Sequence, residues 1–147
     1  MVSASEEANN REVVRAYYAA IAHGMAGLEW ERWFAPDVVQ EEFPNRVLPG
    51  GARRDLRGLR EAAVRGAALM GQQTFQLLTL LASGSMVVVE AEWRGQVSLD
   101  AGPFAAGTEL RTRFAQVLEL RDGKIVALRN YDCFYPWYAG EDSPAAQ

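Results

Sequence analysis

The stretch LRTRFAQVLELRDGKIVALRNYDCF, residues 110–134, decides how this chain folds. It reads as two alternating strands, Leu110–Leu120 and Ile125–Phe134, joined at Arg121-Asp122-Gly123-Lys124. Successive side chains of a strand leave opposite faces. The second strand therefore carries Val126, Leu128, Asn130, Asp132 and Phe134 on one face and Ile125, Ala127, Arg129, Tyr131 and Cys133 on the other. In the first, Thr112, Phe114, Gln116, Leu118 and Leu120 lie opposite Arg111, Arg113, Ala115, Val117 and Glu119. One side of the hairpin is thus apolar with a few isolated polar groups, which is the composition of a small-molecule pocket.

Working upstream, Met86–Leu99 and Thr74–Ala82 read as two further strands around a turn at Ser83-Gly84-Ser85, and a Gly/Pro-containing loop runs through Gly107 to the hairpin. Glu90 and Glu92 share a face of their strand, and Arg111, Arg113 and Arg129 share the corresponding face of the next two. Opposite charges across neighbouring strands stabilise by roughly 0.2–1 kcal/mol per pair. That leaves Val87, Val89, Ala91 and Trp93 pointing inward.

Helical spacing dominates the first half. Ser5–His23 reads as a helix through Val13, Val14, Tyr17, Ala20 and Ile21, with His23 at its end and Gly24 as the stop. A shorter helix, Leu28–Phe34, ends before Pro36. Val38–Phe43 follows as a strand and residues 44–54 as a loop, and Asp55 caps a third helix with the stripe Leu56, Leu59, Ala63, Ala67 and Met70. Early helices and late consecutive strands predict an α+β domain, ordered α-α-β-α-β-β-β-β, with a curved antiparallel sheet covered on one face by helices. We expect one domain over residues 5–138, with flexible termini at 1–4 and 139–147.

The 147 residues, 49% of them hydrophobic, suffice for one core. A net charge of -4 and the absence of a basic stripe argue against nucleic acid as a partner. The arginines at 53, 54, 57, 60 and 65 read as a solvated helix face. The apolar runs are too short to cross a bilayer, and the polar, acidic start resembles neither a signal nor a transit peptide. The single cysteine, Cys133, excludes an internal disulfide, fits a reducing compartment and is expected to pack as a small apolar group. A cytoplasmic protein is expected.

Asp132 is the leading catalytic candidate, because a carboxylate in apolar surroundings is harder to ionise and becomes an acid or base useful near neutral pH. Tyr17 can donate a phenolic hydrogen bond to a ligand oxygen. Glu42 is a second candidate carboxylate, although alternation from Val39 and Phe43 turns Glu41 inward and Glu42 outward. Gln116 and Asn130 are neutral groups able to orient a carbonyl or a water. Trp30, Phe34, Trp93, Phe114, Leu128 and Phe134 would shape the substrate. With one histidine and one cysteine, no nitrogen–sulfur metal site, Cys-His pair or Ser-His-Asp arrangement is available, and no glycine-rich phosphate loop follows a strand. A cofactor-free pocket is expected.

Four segments, Val14-Arg15-Ala16-Tyr17-Tyr18-Ala19-Ala20, Trp33-Phe34-Ala35-Pro36-Asp37, Phe114 to Gly123-Lys124-Ile125, and Arg129-Asn130-Tyr131-Asp132, carry a resemblance in their order and spacing. From about Asn10 to Trp137 the chain resembles the SnoaL-like and ketosteroid-isomerase-like branch of the nuclear transport factor 2 superfamily. The resemblance implies a cone, a curved sheet wrapped around a deep pocket and closed by N-terminal helices, dimeric through the outer sheet face. It places Tyr17 where ketosteroid isomerases have an oxyanion-stabilising tyrosine and Glu42 near their proton-shuttling aspartate. Gln116 stands where they carry a protonated aspartate. Asp132 matches the general base of SnoaL-type polyketide cyclases, whose partner histidine this chain lacks.

Together these readings predict a cofactor-independent isomerase, cyclase, dehydratase or hydrolase acting on a hydrophobic oxygenated molecule such as a polyketide- or terpenoid-like metabolite. The alternatives are a non-catalytic ligand carrier and a dimeric accessory domain on the same fold.

Overall fold

A computed structural model describes residues 2–137 of the chain. Helix α1, Ala4–Ala22, begins at a capping box in which Ser3 Oγ accepts from the Glu6 amide and the Glu6 carboxylate accepts from the Ser3 amide. Ser3 and Ala4 thus belong to the start of the helix. The expected tail, 139–147, lies outside the described residues. A 3₁₀ turn, Met25–Gly27, and a one-turn helix α2, Trp30–Trp33, lead directly into strand β1, Phe34–Glu42. The strand starts earlier than the expected Val38 and contains Pro36, which cannot donate a ladder hydrogen bond. The chain accommodates it inside an irregularity in the β1–β6 register between Phe34 and Val39.

After β1 come a short strand β2, Ala52–Arg54, inside the segment expected to be a loop, helix α3, Leu56–Leu69, and four long strands. Asp55 caps α3 by accepting from the Gly58 amide at 2.8 Å. The strands are β3, Met70–Ser83, β4, Met86–Val97, β5, Glu109–Arg121, and β6, Lys124–Phe134. They form one six-stranded sheet in the order β2-β1-β6-β5-β4-β3. The sheet is not all antiparallel: β1 runs parallel to β6, joining the first long strand to the last.

Helices α1 and α3 cover the inner face. Val14, Tyr17, Tyr18 and Ile21 of α1 bury against Val87, Val89 and Ala91 of β4 and Leu118 and Leu120 of β5. Each fully buried side chain of this kind contributes about 1.5–3 kcal/mol of transfer free energy. The expected faces hold for β4 and β5 and for Leu128 to Phe134 of β6. They fail at the start of β6, where Ile125 is fully buried and Val126 only partly. The β5–β6 register shifts between Glu119 and Leu120, so both Ile125 and Leu128 turn inward.

On the outer face Glu92, only 7% exposed, accepts from three arginines. Arg111 grips both of its oxygens at 2.8 and 3.0 Å, and Arg113 and Arg94 add bonds at 3.1 and 3.2 Å. These donors, Arg111 foremost, outweigh the burial that opposes ionisation and hold the Glu92 carboxyl down at about 2. Arg94 on Glu92's own strand joins the expected partners; Arg129 lies across from Val117 instead. Cys133 is exposed on this face, not packed as expected, since its strand position points away from the core.

Candidate functional site

Three adjacent strands set out the polar groups of the inner face. The β5–β6 register puts Gln116 opposite Asn130 and Phe114 opposite Asp132, while the parallel pairing of β1 puts Glu42 opposite Asn130. Glu42 and Asp132 are thereby diagonal neighbours. The expectation that Glu41 turns inward is corrected here. Val38, Gln40 and Glu42 form the inner row, and Val39, Glu41 and Phe43 the outer one, where Phe43 stacks on Tyr131 at 4.8 Å and Glu41 pairs with Arg53. Apolar Val39 and Phe43 serve the outer surface, which is why alternation alone misassigned the strand.

Between this wall and the helices lies a cavity of about 290 Å³. Asp132, Glu42, Tyr17, Gln116 and Asn130 all reach it, and Trp30, Trp93, Phe114, Leu128 and Phe134 supply apolar surface. Phe34 does not. It is 1% exposed, packed edge-on against Tyr17 and stacked on Trp30, so it backs the wall rather than lining it. An adjoining cavity of about 350 Å³, between the 3₁₀ turn and α3, shares Met25, Gln40, Glu42, Leu59 and Gln73 with the first.

A continuous hydrogen-bond chain runs across the wall. Tyr18 donates its hydroxyl to Gln116 Oε1. That fixes the Gln116 amide so that Nε2 donates to Asn130 Oδ1 at 3.0 Å. Gln40 Nε2 donates to the same oxygen at 3.4 Å, and Arg54 bridges Gln40 Oε1 at 3.0 Å and Glu42 Oε2 at 2.9 Å. Asn45 Nδ2 donates to the other Glu42 oxygen at 3.2 Å. Glu42 thus sits in a polar clamp beside Asp132.

Asp132 differs. Burial, followed by the negative charge of Glu42 and a hydrogen bond shared between the two carboxyls, raises its pKa from 3.8 to about 7. Burial alone raises the Tyr17 phenol above its ordinary range, and burial with the neighbouring Tyr17 and Asp132 raises Tyr18. Both tyrosines are therefore neutral donors across the physiological range. No local sequence pattern marks Tyr18 or Arg54 as a site residue. Tyr18 adjoins Tyr17 on the helix, about a third of a turn away, and Arg54 belongs to a run of arginines that otherwise faces solvent. No group of three or more His, Cys, Asp and Glu able to hold a metal occurs among the described residues.

Residues 14–128 match the sequence profile of the SnoaL-like domain, more than half of the chain. The chain belongs to the SnoaL-like family. Solved structures share this SnoaL-like architecture. IdmH from Streptomyces antibioticus, a candidate polyketide cyclase, is 21% identical over 84% of this chain and 91% of its own, with a TM-score of 0.70. An NTF2-like protein from Burkholderia thailandensis is 21% identical over 84% and 90%, with a TM-score of 0.67. An LEH-like epoxide hydrolase from M. tuberculosis is 20% identical over 87% and 85%, with a TM-score of 0.62. At such identities these likenesses show the SnoaL-like fold and no more. No curated protein matches the chain. No helix among the described residues is long and apolar enough to cross a membrane.

Proposed function

We propose that this chain is a cofactor-independent acid/base enzyme, an isomerase, cyclase, dehydratase or hydrolase, acting on a hydrophobic oxygenated small molecule of polyketide- or terpenoid-like character. The observation that carries the reading is the pair of carboxyls in the cavity. Asp132 is perturbed to about 7 beside a Glu42 clamped by Arg54 and Asn45. Two carboxyls in a water-poor site hold one proton between them more easily than two charges. Asp132 can then remove a proton from carbon or from a bound water and return it later, a role that contributes typically ~10²–10⁴-fold to rate.

Charge that develops on a substrate oxygen needs neutral donors nearby. Tyr17 lines the cavity and keeps its proton, and Gln116, whose carbonyl accepts from Tyr18, has a second amide N–H to offer once Nε2 has donated to Asn130. Trp30, Trp93 and Phe114 would exclude water. The candidate cyclase and the LEH-like epoxide hydrolase among the structural neighbours are compatible with this class of chemistry.

A suitable test is exchange of the α-hydrogens of a bicyclic ketone, 1-tetralone, in D₂O, alongside hydrolysis of cyclohexene oxide. Wild type should accelerate one of them, and Asp132→Asn should lose about 10²-fold or more. Full activity in Asp132→Asn would overturn the assignment of the base, and a ligand recovered unchanged from an inactive wild type would favour a carrier.

The same proposal includes a homodimer through the outer sheet face. Exposed Leu81 and Val88 are cross-strand partners, and Val117 continues their row. A monomer in light scattering at micromolar concentration would refute it. The lone exposed thiol of Cys133 fits action in a reducing cytoplasm.

A further inference from the structure

The polar groups of the cavity wall largely satisfy one another. Tyr18, Gln116, Asn130, Gln40 and Glu42 belong to one hydrogen-bond chain, and Trp93 Nε1 donates to Gln73 Oε1 at 2.9 Å. Thr112 stands apart. It lines the cavity and is only 3% exposed, yet its Oγ1 is enclosed without a hydrogen-bond partner among the described residues. An enclosed, unpaired hydroxyl weakens a fold, and valine would fill nearly the same volume without that cost. The neighbouring strand does use valine on this inner face, at Val87 and Val89.

We propose that Thr112 is a substrate-binding residue whose hydroxyl takes up a ligand oxygen, so that the molecule in this cavity carries a carbonyl or hydroxyl group a few bonds from the atom on which Asp132 acts. This deepens the enzymatic reading above and rests on it for the role of Asp132. Thr112 faces Phe134 across β5–β6, and Asp132 faces Phe114 two positions along, which makes Thr112 and Asp132 diagonal neighbours. Such pairs lie ~7–8 Å apart. That span suits one ring of a substrate, with a hydrogen-bonded oxygen at one edge and a reacting C–H bond or water at the other. Trp93 and Phe134, the cross-strand partners of Thr112, provide aromatic surface on either side. A χ1 step of about 120° turns the hydroxyl into another of the staggered positions on Cβ, and this is how Oγ1 would reach the cavity when an oxygen is there to meet it.

The test compares two probes that differ by one carbonyl oxygen, 1-tetralone and tetralin, by calorimetry on the full chain. Wild type should prefer the ketone by about tenfold in Kd, the value of one hydrogen bond in a dry site. Thr112→Val should bring the two probes to within about twofold of each other while raising the thermal midpoint, and Thr112→Ser should keep the preference. A Thr112→Val protein that is stabilised but still prefers the ketone would overturn the proposal, as would Thr112→Ser losing the preference. Binding of neither probe to wild type would overturn the pocket reading and this one with it. A ketone preference that depends on Thr112, in a protein that neither exchanges the ketone's α-hydrogens nor hydrolyses cyclohexene oxide, would overturn the catalytic reading and leave this one standing.

Discussion

Replacing Asp132 by asparagine should make the protein more stable, and increasingly so as the pH rises. Asparagine mimics the protonated acid without its ionisation. In the unfolded chain Asp132 ionises near 3.8, whereas in the folded chain it holds its proton to about 7. Between those values the unfolded state binds fewer protons, so wild-type stability falls as pH rises through the window and levels off above 7. The slope is at most about 1.4 kcal/mol per pH unit, which gives a ceiling of about 4 kcal/mol over the window from 3.8 to about 7. Asp132 is only partly enclosed, and solvent screening reduces the expected gain to about 2 kcal/mol. Urea unfolding of both proteins at intervals from pH 4 to pH 9 reads this directly, because the difference between the two cancels the titrating groups that do not interact with Asp132. A difference that is flat across pH 4–7 would show that Asp132 ionises in the ordinary range, and the argument for a tuned base would fall.

Glu42→Gln removes the charge and the carboxyl hydrogen bond that help to raise Asp132, so the Asp132 midpoint measured by carboxylate NMR should move down toward the ordinary range; an unmoved midpoint would uncouple the two groups. Tyr18→Phe strips the donor from the buried Gln116 carbonyl and should cost about 1–3 kcal/mol in urea unfolding, with little change in packing. Glu92→Gln leaves Arg94, Arg111 and Arg113 facing a neutral amide and should destabilise the fold at pH 7. The wild-type Glu92 contribution is complete above its ordinary value of 4.5 and is lost as pH falls toward about 2, so acid titration of the variant should lack that part of the slope.

How far the sequence disclosed this site depended on whether local periodicity stayed intact. From Leu128 to Phe134 the two-residue period is unbroken, and Asn130 and Asp132 stand on the inner face that alternation assigns. At Ile125 and Val126 a register shift breaks the period and reverses the assignment. For β1, Val39 and Phe43 suggested the wrong inner face because an outer surface that stacks Phe43 on Tyr131 is itself partly apolar. Tyr18 and Arg54 illustrate a different limit. Their partners lie 98 and 12 positions away, at Gln116 and Glu42, and no spacing rule within a helix or strand signals such contacts. Phe34 is apolar like the lining residues it was grouped with, yet an apolar character alone cannot separate a wall from what stands behind it.

The parallel seam between β1 and β6 has a consequence for biosynthesis. Glu42 is made early and Asp132 among the last described residues, and only that seam brings them together. A nascent chain that already contains the helices and most of the sheet therefore still lacks the carboxyl pair. On the enzymatic proposal, the two carboxyls meet only in the long-range pairing of the first long strand with the last, so the proposed base would not be tuned ahead of the enclosure around it.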